Sequence, residues 1–196
     1  MNPHTTFKIK FILYYTVLFS FLFSQSDTRY INKNHFSYQE KYQFDTIKDD
    51  GTCTINIKEI NGDIIINGHM GSGVFLIATH LFDQEFFQES KKLSVFHKNQ
   101  HINIESQKNI NRQYLSNYIL NIPINSNLNI SLNGGAISAN EISGNLKLFS
   151  SGGDIVLDKI SGDITIETNA GDIIVQNCAG KFRVHTNNGN IKLNKN

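Results

Sequence analysis

The chain has few cysteines and prolines, no tryptophan and almost no net charge. Its 196 residues include two Cys and two Pro, and 18 Lys and Arg nearly balance 17 Asp and Glu, which gives a formal net charge of +1. The balanced charge excludes the strongly basic surface that is typical of nucleic-acid-binding domains. The scarcity of Pro favours strands, because Pro cannot donate to a strand ladder and is rare in strand interiors.

The two cysteines, Cys53 and Cys178, are predicted to be free thiols. Cys53 is in phase with the apolar residues Ile55 and Ile57, and Cys178 takes the place that Ile160 fills eighteen residues earlier. Both therefore resemble small buried hydrophobic residues. On the predicted fold they lie several strands apart, which exceeds the ~7 Å Cα separation that a disulfide allows.

The first 26 residues have the layout of a secretory signal peptide. Residues 1–10 carry two lysines and no acid, residues 11–23 are largely apolar, and Ser24 and Ser26 supply small residues for cleavage. The apolar run is shorter than the ~20 residues of a spanning helix, so an uncleaved anchor is the weaker alternative. The layout predicts export to the periplasm, the outer surface or the medium, without a membrane span after signal removal.

Beyond the leader, the pattern predicts one domain over residues 53–196. Residues 27–52 are polar and rich in Tyr and Phe, and they are predicted to form an N-terminal strand or cap, with a loosely ordered tail as the alternative. Residues 73–122 contain irregular longer strands, separated by loops around 84–92 and 107–112. Regular repeats occupy residues 126–196.

A glycine returns every nine residues in the last third of the chain. The series is unbroken: Gly135, Gly144, Gly153, Gly162, Gly171, Gly180 and Gly189. The second and fourth residues after each glycine are apolar and the third is mostly polar, an alternation that predicts a half-buried strand. Glycine itself predicts a tight corner, because it reaches positive φ without a Cβ clash.

Two kinds of corner alternate, so the true repeat is eighteen residues long. An apolar residue and Ser precede Gly144 and Gly162, whereas polar or small residues precede Gly153 and Gly171. Stacked repeats are the usual source of such self-similarity. We therefore predict an all-β fold, a single-stranded parallel β-solenoid with two nine-residue strand-corner units in each 18-residue turn. A meander of antiparallel hairpins is the alternative.

The same residues carry a resemblance to a known family. They are Ile60-Asn61-Gly62-Asp63-Ile64, Ile122-Pro123 followed by Leu128-Asn129-Ile130, Ser151-Gly152-Gly153-Asp154-Ile155 and Ile160-Ser161-Gly162-Asp163-Ile164. In this pattern the chain resembles the bacterial putative adhesin domain of unknown function, which is similar to the auto-transporter adhesin head domain. The resemblance covers roughly residues 45–196. It implies a β-solenoid with Gly-Asp-Ile repeats in exported bacterial proteins, with no assigned catalytic residues.

The acidic corner residues Asp154 and Asp172 are candidates for a calcium site. They would stack on adjacent turns, where carboxylate oxygens could hold Ca²⁺. Calcium-binding nonapeptide repeats follow Gly-Gly-x-Gly-x-Asp, however, and here Ile155 and Leu157 replace the later Gly and the Asp. Turn-forming Asp is the preferred interpretation, and no metal and no cofactor is predicted.

Nothing in the pattern favours an enzyme. Polysaccharide hydrolysis needs paired carboxylates at a fixed separation, and the predicted corners are too short to build a substrate cleft. The histidines show no His-Glu-x-x-His motif, and there is no Gly-x-Ser-x-Gly elbow and no phosphate-binding loop. The chain is therefore predicted to be non-enzymatic, without catalytic residues.

Outward positions on the predicted sheets suggest a contact surface. On one sheet Val156 and Ile174 would stack as apolar residues on an exposed face, which indicates a contact patch. On the other sheet Lys147 and Arg183 point outward. These four residues are the predicted contact surface, suited to an unidentified protein or glycan at the cell envelope. The predicted function is adhesin-like binding at the surface or envelope; the alternative is a periplasmic accessory or sensor domain that acts through a protein partner.

Overall fold

The described part of the protein is entirely β-structure. A computed structural model describes residues 27–32, 35–45, 52–83, 93–106 and 114–194. The predicted signal peptide over 1–26 and the predicted loops around 84–92 and 107–112 lie outside the described residues.

Within the described ranges, fifteen strands form one mixed sheet. In chain order they are β1 (Asp27–Asn32), β2 (His35–Asp45), β3 (Cys53–Asn61), β4 (Asp63–His69), β5 (Gly73–Asp83), β6 (Leu93–Lys98), β7 (His101–Ser106), β8 (Tyr114–Pro123), β9 (Ser126–Gly134), β10 (Ile137–Ser143), β11 (Leu146–Ser150), β12 (Ile155–Ala170), β13 (Ile173–Gln176), β14 (Ala179–Asn188) and β15 (Ile191–Asn194). Twelve of them follow the order β1-β2-β5-β8-β4-β10-β12-β11-β9-β3-β7-β6, and β13, β14 and β15 join it beyond β12.

The prediction of a single-stranded parallel β-solenoid is wrong, because the sheet is mixed. β2 pairs antiparallel with β1 and β5, β5 pairs antiparallel with β8, and β6 and β7 form an antiparallel hairpin. Residues 73–122 lack the eighteen-residue repeat, so their long strands reverse direction and pair with their neighbours. The result is a nearly closed mixed barrel, and the solenoid fold implied by the family resemblance is corrected in the same way.

The two ends of the sheet order approach each other. Phe44 on β2 packs against His97 on β6, with ring centroids 5.1 Å apart. Between these ends the sheet turns back on itself at β12, whose sixteen residues pair with β10 and β13 in the first half and with β11 and β14 in the second. This double pairing makes β12 the strand that joins the two layers around the core.

Parallel pairing at an eighteen-residue interval occupies the C-terminal half. Ile137 lies beside Ile155, Ile155 beside Ile173, and Ile173 beside Ile191. Successive side chains of a strand point to opposite faces, so the predicted inward residues of β12, such as Ile155 and Leu157, are buried. Among the described residues, thirty buried side chains from both layers form one hydrophobic cluster, which is the main source of the fold's stability.

The two cysteines are free thiols in different surroundings. Cys53 on β3 is 0 % exposed, whereas Cys178 lies half-buried between β13 and β14. Burial raises the pKa of the Cys53 thiol to about 11. The Cys178 Sγ donates to the carbonyl oxygen of Gln176 at 3.0 Å, and burial raises the pKa of this thiol as well.

We expect the two thiols to differ sharply in reactivity with a thiol reagent at pH 8. The thiolate is the reacting species, so Cys178 should react in the folded protein and Cys53 only after unfolding in urea. Cys178→Ser should abolish the reaction of the folded protein, and equal rates for both thiols would contradict the prediction.

The raised pKa of Cys53 also means that its burial stabilises the fold below about pH 9, and that this contribution is lost as pH rises towards 11.

Candidate functional site

A row of apolar side chains crosses six adjacent strands on the outer face of one layer. We call it the outer apolar row, and strand pairing places its members side by side: Ile77 on β5, Ile119 on β8, Ile65 on β4, Ser138 on β10, Val156 on β12 and Ile174 on β13. Each of these residues alternates with inward core residues of its strand, so all six project away from the core. Only Ser138 interrupts the aliphatic surface.

The outer apolar row is both exposed and long. Ile65 is 47 % and Ile119 is 41 % exposed, and the other members are half-buried. Five steps between neighbouring strands at ~4.8 Å give a length of roughly 24 Å. Lys41 pairs beside Ile77 at one end and Lys192 beside Ile174 at the other. Apolar surface of this extent on a folded protein marks a contact site when polar residues surround it.

Polar side chains border the row on both sides. Along one side Asn121, Asn67 and Asn140 are neighbours in register, and the Asn67 Nδ2 donates to the Asn121 Oδ1 at 3.2 Å. Along the other side lie the carboxylates of Asp63, Asp154 and Asp172. The row is thus apolar in its centre, with acids on one border. The other border carries the three amides, the Asp158 carboxylate beside Asn140 and the exposed ring of Phe75 beside Asn121.

The bordering carboxylates hold the corners of the fold. The Asp63 Oδ1 accepts from the backbone N–H of Ala136, the Asp154 Oδ1 from that of Asp172, and the Asp172 Oδ1 from that of Asn190. These bonds run between corners and not within one turn: Asp154 and Asp172 each accept from the backbone eighteen residues further along the chain. Within the part of the chain that the structure describes, no three His, Cys, Asp or Glu residues are grouped so that they could hold a metal ion.

The structure brings together only half of the predicted contact surface. Val156 and Ile174 are neighbours in register and belong to the outer apolar row. Lys147 on β11 and Arg183 on β14 lie on the outer face of the other layer, separated by Thr165 of β12. The four predicted residues therefore belong to two separate surfaces.

Sequence reasoning missed the more exposed half of the row. Ile65, Ile77 and Ile119 sit on β4, β5 and β8, and β5 and β8 belong to the segment without the regular repeat. The available signal was the apolar run at Ile64-Ile65-Ile66, in which the middle residue must face outward if its neighbours face the core. The register that aligns Ile65 with Val156 could not be derived from that run.

A second candidate site is a buried polar cluster on β2, β5 and β8, which sequence reasoning also missed. The His80 Nδ1 lies 2.7 Å from the Ser116 Oγ, and the His80 Nε2 lies 3.3 Å from the Glu40 Oε1. The Tyr42 hydroxyl donates to the other carboxylate oxygen of Glu40. Burial and this hydrogen bond to Glu40 raise the pKa of the Tyr42 hydroxyl far above its usual range.

The serine, histidine and acid stand in the order that nucleophilic hydrolases use, but they lie inside the core. Ser116 is 2 %, His80 is 0 % and Glu40 is 5 % exposed, and the rings of Tyr38 and Tyr118 pack against His80. A substrate carbonyl cannot reach the Ser116 Oγ at this exposure. The cluster instead ties β2 to β5 and β8, because β2 contributes Glu40 and Tyr42, β5 contributes His80 and β8 contributes Ser116.

Comparison with known proteins gives a likeness of fold. No family model matches the chain, and no curated protein matches it. A putative cell adhesion protein from Clostridium sporogenes superposes with a TM-score of 0.56 at 12% identity, covering 81% of this chain and 100% of that one. The chain shares its fold with that protein.

Two further solved structures are more distant. A putative adhesin from Parabacteroides merdae has a TM-score of 0.28 at 10% identity, covering 81% of this chain and 96% of that one. A putative lipid binding protein from Parabacteroides distasonis has a TM-score of 0.31 at 12% identity, with the same coverage. In the described ranges there is no helix of the length and apolarity needed to cross a membrane.

Proposed function

We propose that this protein is an exported, non-enzymatic, adhesin-like binding protein of the cell surface or envelope, and that it contacts a protein partner through the outer apolar row. The observation that supports the proposal most directly is the alignment of Ile77, Ile119, Ile65, Val156 and Ile174 on one exposed face. Aliphatic side chains that are exposed to water do not stabilise a folded protein, whereas burial in an interface is favourable. A row of such side chains therefore favours a contact with a partner.

The chemistry of the row favours a protein over a glycan. Aliphatic side chains offer no hydrogen-bond donors or acceptors to sugar hydroxyls, whereas they pack well against apolar side chains of a partner. The carboxylates of Asp63, Asp154 and Asp172 along one border favour a partner with basic residues beside its apolar centre. The buried position of Ser116 and His80 supports a non-enzymatic role.

We expect Ile65→Lys combined with Ile119→Lys to abolish binding without unfolding the protein. Both side chains project outward, so the loss in the free energy of unfolding should stay at about 1–2 kcal/mol for the pair, including the repulsion between two Lys residues that face each other in register. Retention of the purified mature protein on isolated envelopes of the source cells, measured by co-sedimentation, should fall at least tenfold. Phe96→Lys is the matched control, because Phe96 is 58 % exposed but lies on β6, outside the row. Normal retention of the double variant, with loss in the control, would place the contact elsewhere.

Localisation separates this function from the periplasmic alternative. The tagged mature protein should be accessible to protease on intact cells if it acts as a surface adhesin. Complete protection in the periplasm would contradict the surface role and would favour an accessory protein with an envelope partner.

A further inference from the structure

β14 and β15 each carry an outer edge without a strand partner among the described residues. β14 pairs with β12, β15 pairs with β13, and neither pairs with another strand of the described ranges. A row of unpaired backbone N–H and C=O groups is a template for the addition of another strand.

The apolar interior continues to these edges and becomes exposed there. Phe182 and Val184 extend the inward rows of Ile164 and Ile166, and Ile191 and Leu193 extend those of Ile173 and Val175. Ile173 is 0 % and Val175 is 4 % exposed, whereas Ile191 is 45 % and Leu193 is 57 % exposed. A further strand on either edge would cover side chains of core type.

The backbone of β15 is oriented to accept such a strand. In the parallel ladder the backbone N–H of an inward residue donates to a carbonyl oxygen of the next eighteen-residue unit. These bonds join Ile137 to Asp154, Ile155 to Asp172 and Ile173 to Asn190. Successive backbone N–H groups along a strand point to opposite edges. Because Ile191 and Leu193 are inward residues, their N–H groups point to the outer edge of β15. The N–H of Lys192 points back towards β13.

β14 and β15 carry basic side chains and no acidic ones. Residues 179–194 contain Lys181, Arg183, Lys192 and no Asp or Glu. The strand that already pairs with β14 is acidic at matching positions, because Asp163 lies beside Lys181 and Glu167 beside His185. Opposite charges at paired positions stabilise strand pairing, whereas like charges at paired positions destabilise it.

We propose that the outer edges of β14 and β15 bind an extended segment of a partner protein in which apolar and acidic residues alternate. The segment adds a strand by main-chain hydrogen bonds, its apolar residues cover Phe182, Val184, Ile191 and Leu193, and its acids face Lys181, Arg183 and Lys192. This surface adjoins the outer apolar row at Lys192, which lies beside Ile174, but it lies on the strand edges and goes beyond the proposed function. A second copy of the chain is a poor occupant of the same edge, because it would bring Lys181, Arg183 and Lys192 against their own counterparts.

The chain itself supplies a suitable probe. Residues 163–168, Asp-Ile-Thr-Ile-Glu-Thr, are the β12 segment that pairs with β14 on its inner side. A fluorescent peptide of this sequence should bind the full-length mature protein saturably in an anisotropy titration. A peptide in which both acids are replaced by Lys keeps the apolar residues and the strand propensity, and it should bind at least tenfold more weakly.

Two variants locate the peptide on the protein. Val184→Pro lies on β14, the strand that this peptide matches, and removes a backbone donor that points outward, because inward residues of this layer, such as Leu128, donate their N–H towards the following unit. An edge strand tolerates this change, and it should weaken peptide binding at least tenfold. Arg183→Glu combined with Lys192→Glu should have the same effect while leaving the backbone intact, since Arg183 lies beside Thr165 and Lys192 beside Ile174. Lys147→Glu on β11 is the matched charge control and should bind the peptide normally.

Each outcome decides the proposal. Absence of saturable binding up to about 1 mM peptide, equal affinity for the lysine peptide, or unchanged binding by both edge variants would overturn it. The Ile65→Lys and Ile119→Lys protein should retain peptide binding. Loss of the edge proposal would therefore not contradict the proposed contact at the outer apolar row, and loss of that contact would not contradict the edge proposal.

Discussion

We expect Gly153→Ala to lower the free energy of unfolding by about 3 kcal/mol or more. Gly153 has a φ of 125°, a region that L-amino acids rarely adopt. A Cβ at this position would lie 2.4 Å from the carbonyl carbon and oxygen of Gly135 in the neighbouring corner, which is held close by the hydrogen bond from the Gly135 N–H to the Gly152 carbonyl oxygen. Both atoms belong to backbone that is held in the parallel ladder, so the clash can be relieved only by separating the strands.

The preceding glycine is a matched control for this variant. Gly152 has an ordinary φ, and a Cβ there would meet no atom within 4 Å. Gly152→Ala should therefore change stability little, or raise it by up to about 1 kcal/mol through the unfolded chain. Urea denaturation followed by circular dichroism measures both variants, and equal stabilities would show that the close approach at Gly153 is not what maintains the corner.

Glu40→Ala should lower the free energy of unfolding by about 3 kcal/mol or more, because it removes a buried carboxyl group and the acceptor of the Tyr42 hydrogen bond. The Glu40 carboxylate lies 3.3 Å from the His80 Nε2 and accepts a hydrogen bond from the Tyr42 hydroxyl. Alanine leaves these polar groups in the core without the acceptor that now faces them, and it leaves a cavity as well. Thermal and urea unfolding measure the loss.

Two companion variants separate the lost pairing from the lost volume. Glu40→Gln keeps the side-chain shape and an acceptor oxygen, so it should lose clearly less stability than Glu40→Ala. Replacing Glu40 and His80 together by Leu removes both polar partners, and the double variant should lose much less than the sum of the two single Leu variants. Additive losses would show that Glu40 and His80 contribute independently.

The predictions from sequence were most successful where the repeat is regular. The alternation after each glycine placed Ile155, Leu157, Ile164 and Ile166 in the core, and all four are buried. It also placed Val156 and Ile174 on one outer face, where the structure has them as neighbours. A period-two pattern is sufficient for this, because it assigns each side chain to a face whatever the partner strand is.

The partners of strands outside the repeat could not be predicted in this way. The antiparallel pairing of β5 with β2 and β8 depends on contacts between residues 28–48 positions apart in the chain, such as Ala78 with Glu40 and Tyr118. Nothing local in residues 73–122 distinguishes that arrangement from further parallel turns. The error in fold class and the failure to see Ile77 and Ile119 beside Ile65 have this common cause.

One kind of corner was also hidden. Glu141, Lys159 and Asn177 have φ values of 58°, 54° and 53°, at the same place in three successive eighteen-residue units. Glu and Lys are not residues that favour positive φ, so the sequence carries no signal for this conformation. The surrounding ladders impose it, and the ion pair between Lys159 Nζ and Glu141 Oε1 at 2.8 Å accompanies it.

The sequence by itself determined the strands of the C-terminal half, their inward faces and the glycine corners, because periodicity and backbone sterics are local properties. Only the tertiary structure decided that the sheet is mixed, that the outer apolar row is continuous, and that Glu40, His80 and Ser116 meet in the core. Each of these features depends on which strands pair and in what register. That choice is made by the packing of the whole core and by hydrogen bonds between distant segments, which no local pattern encodes.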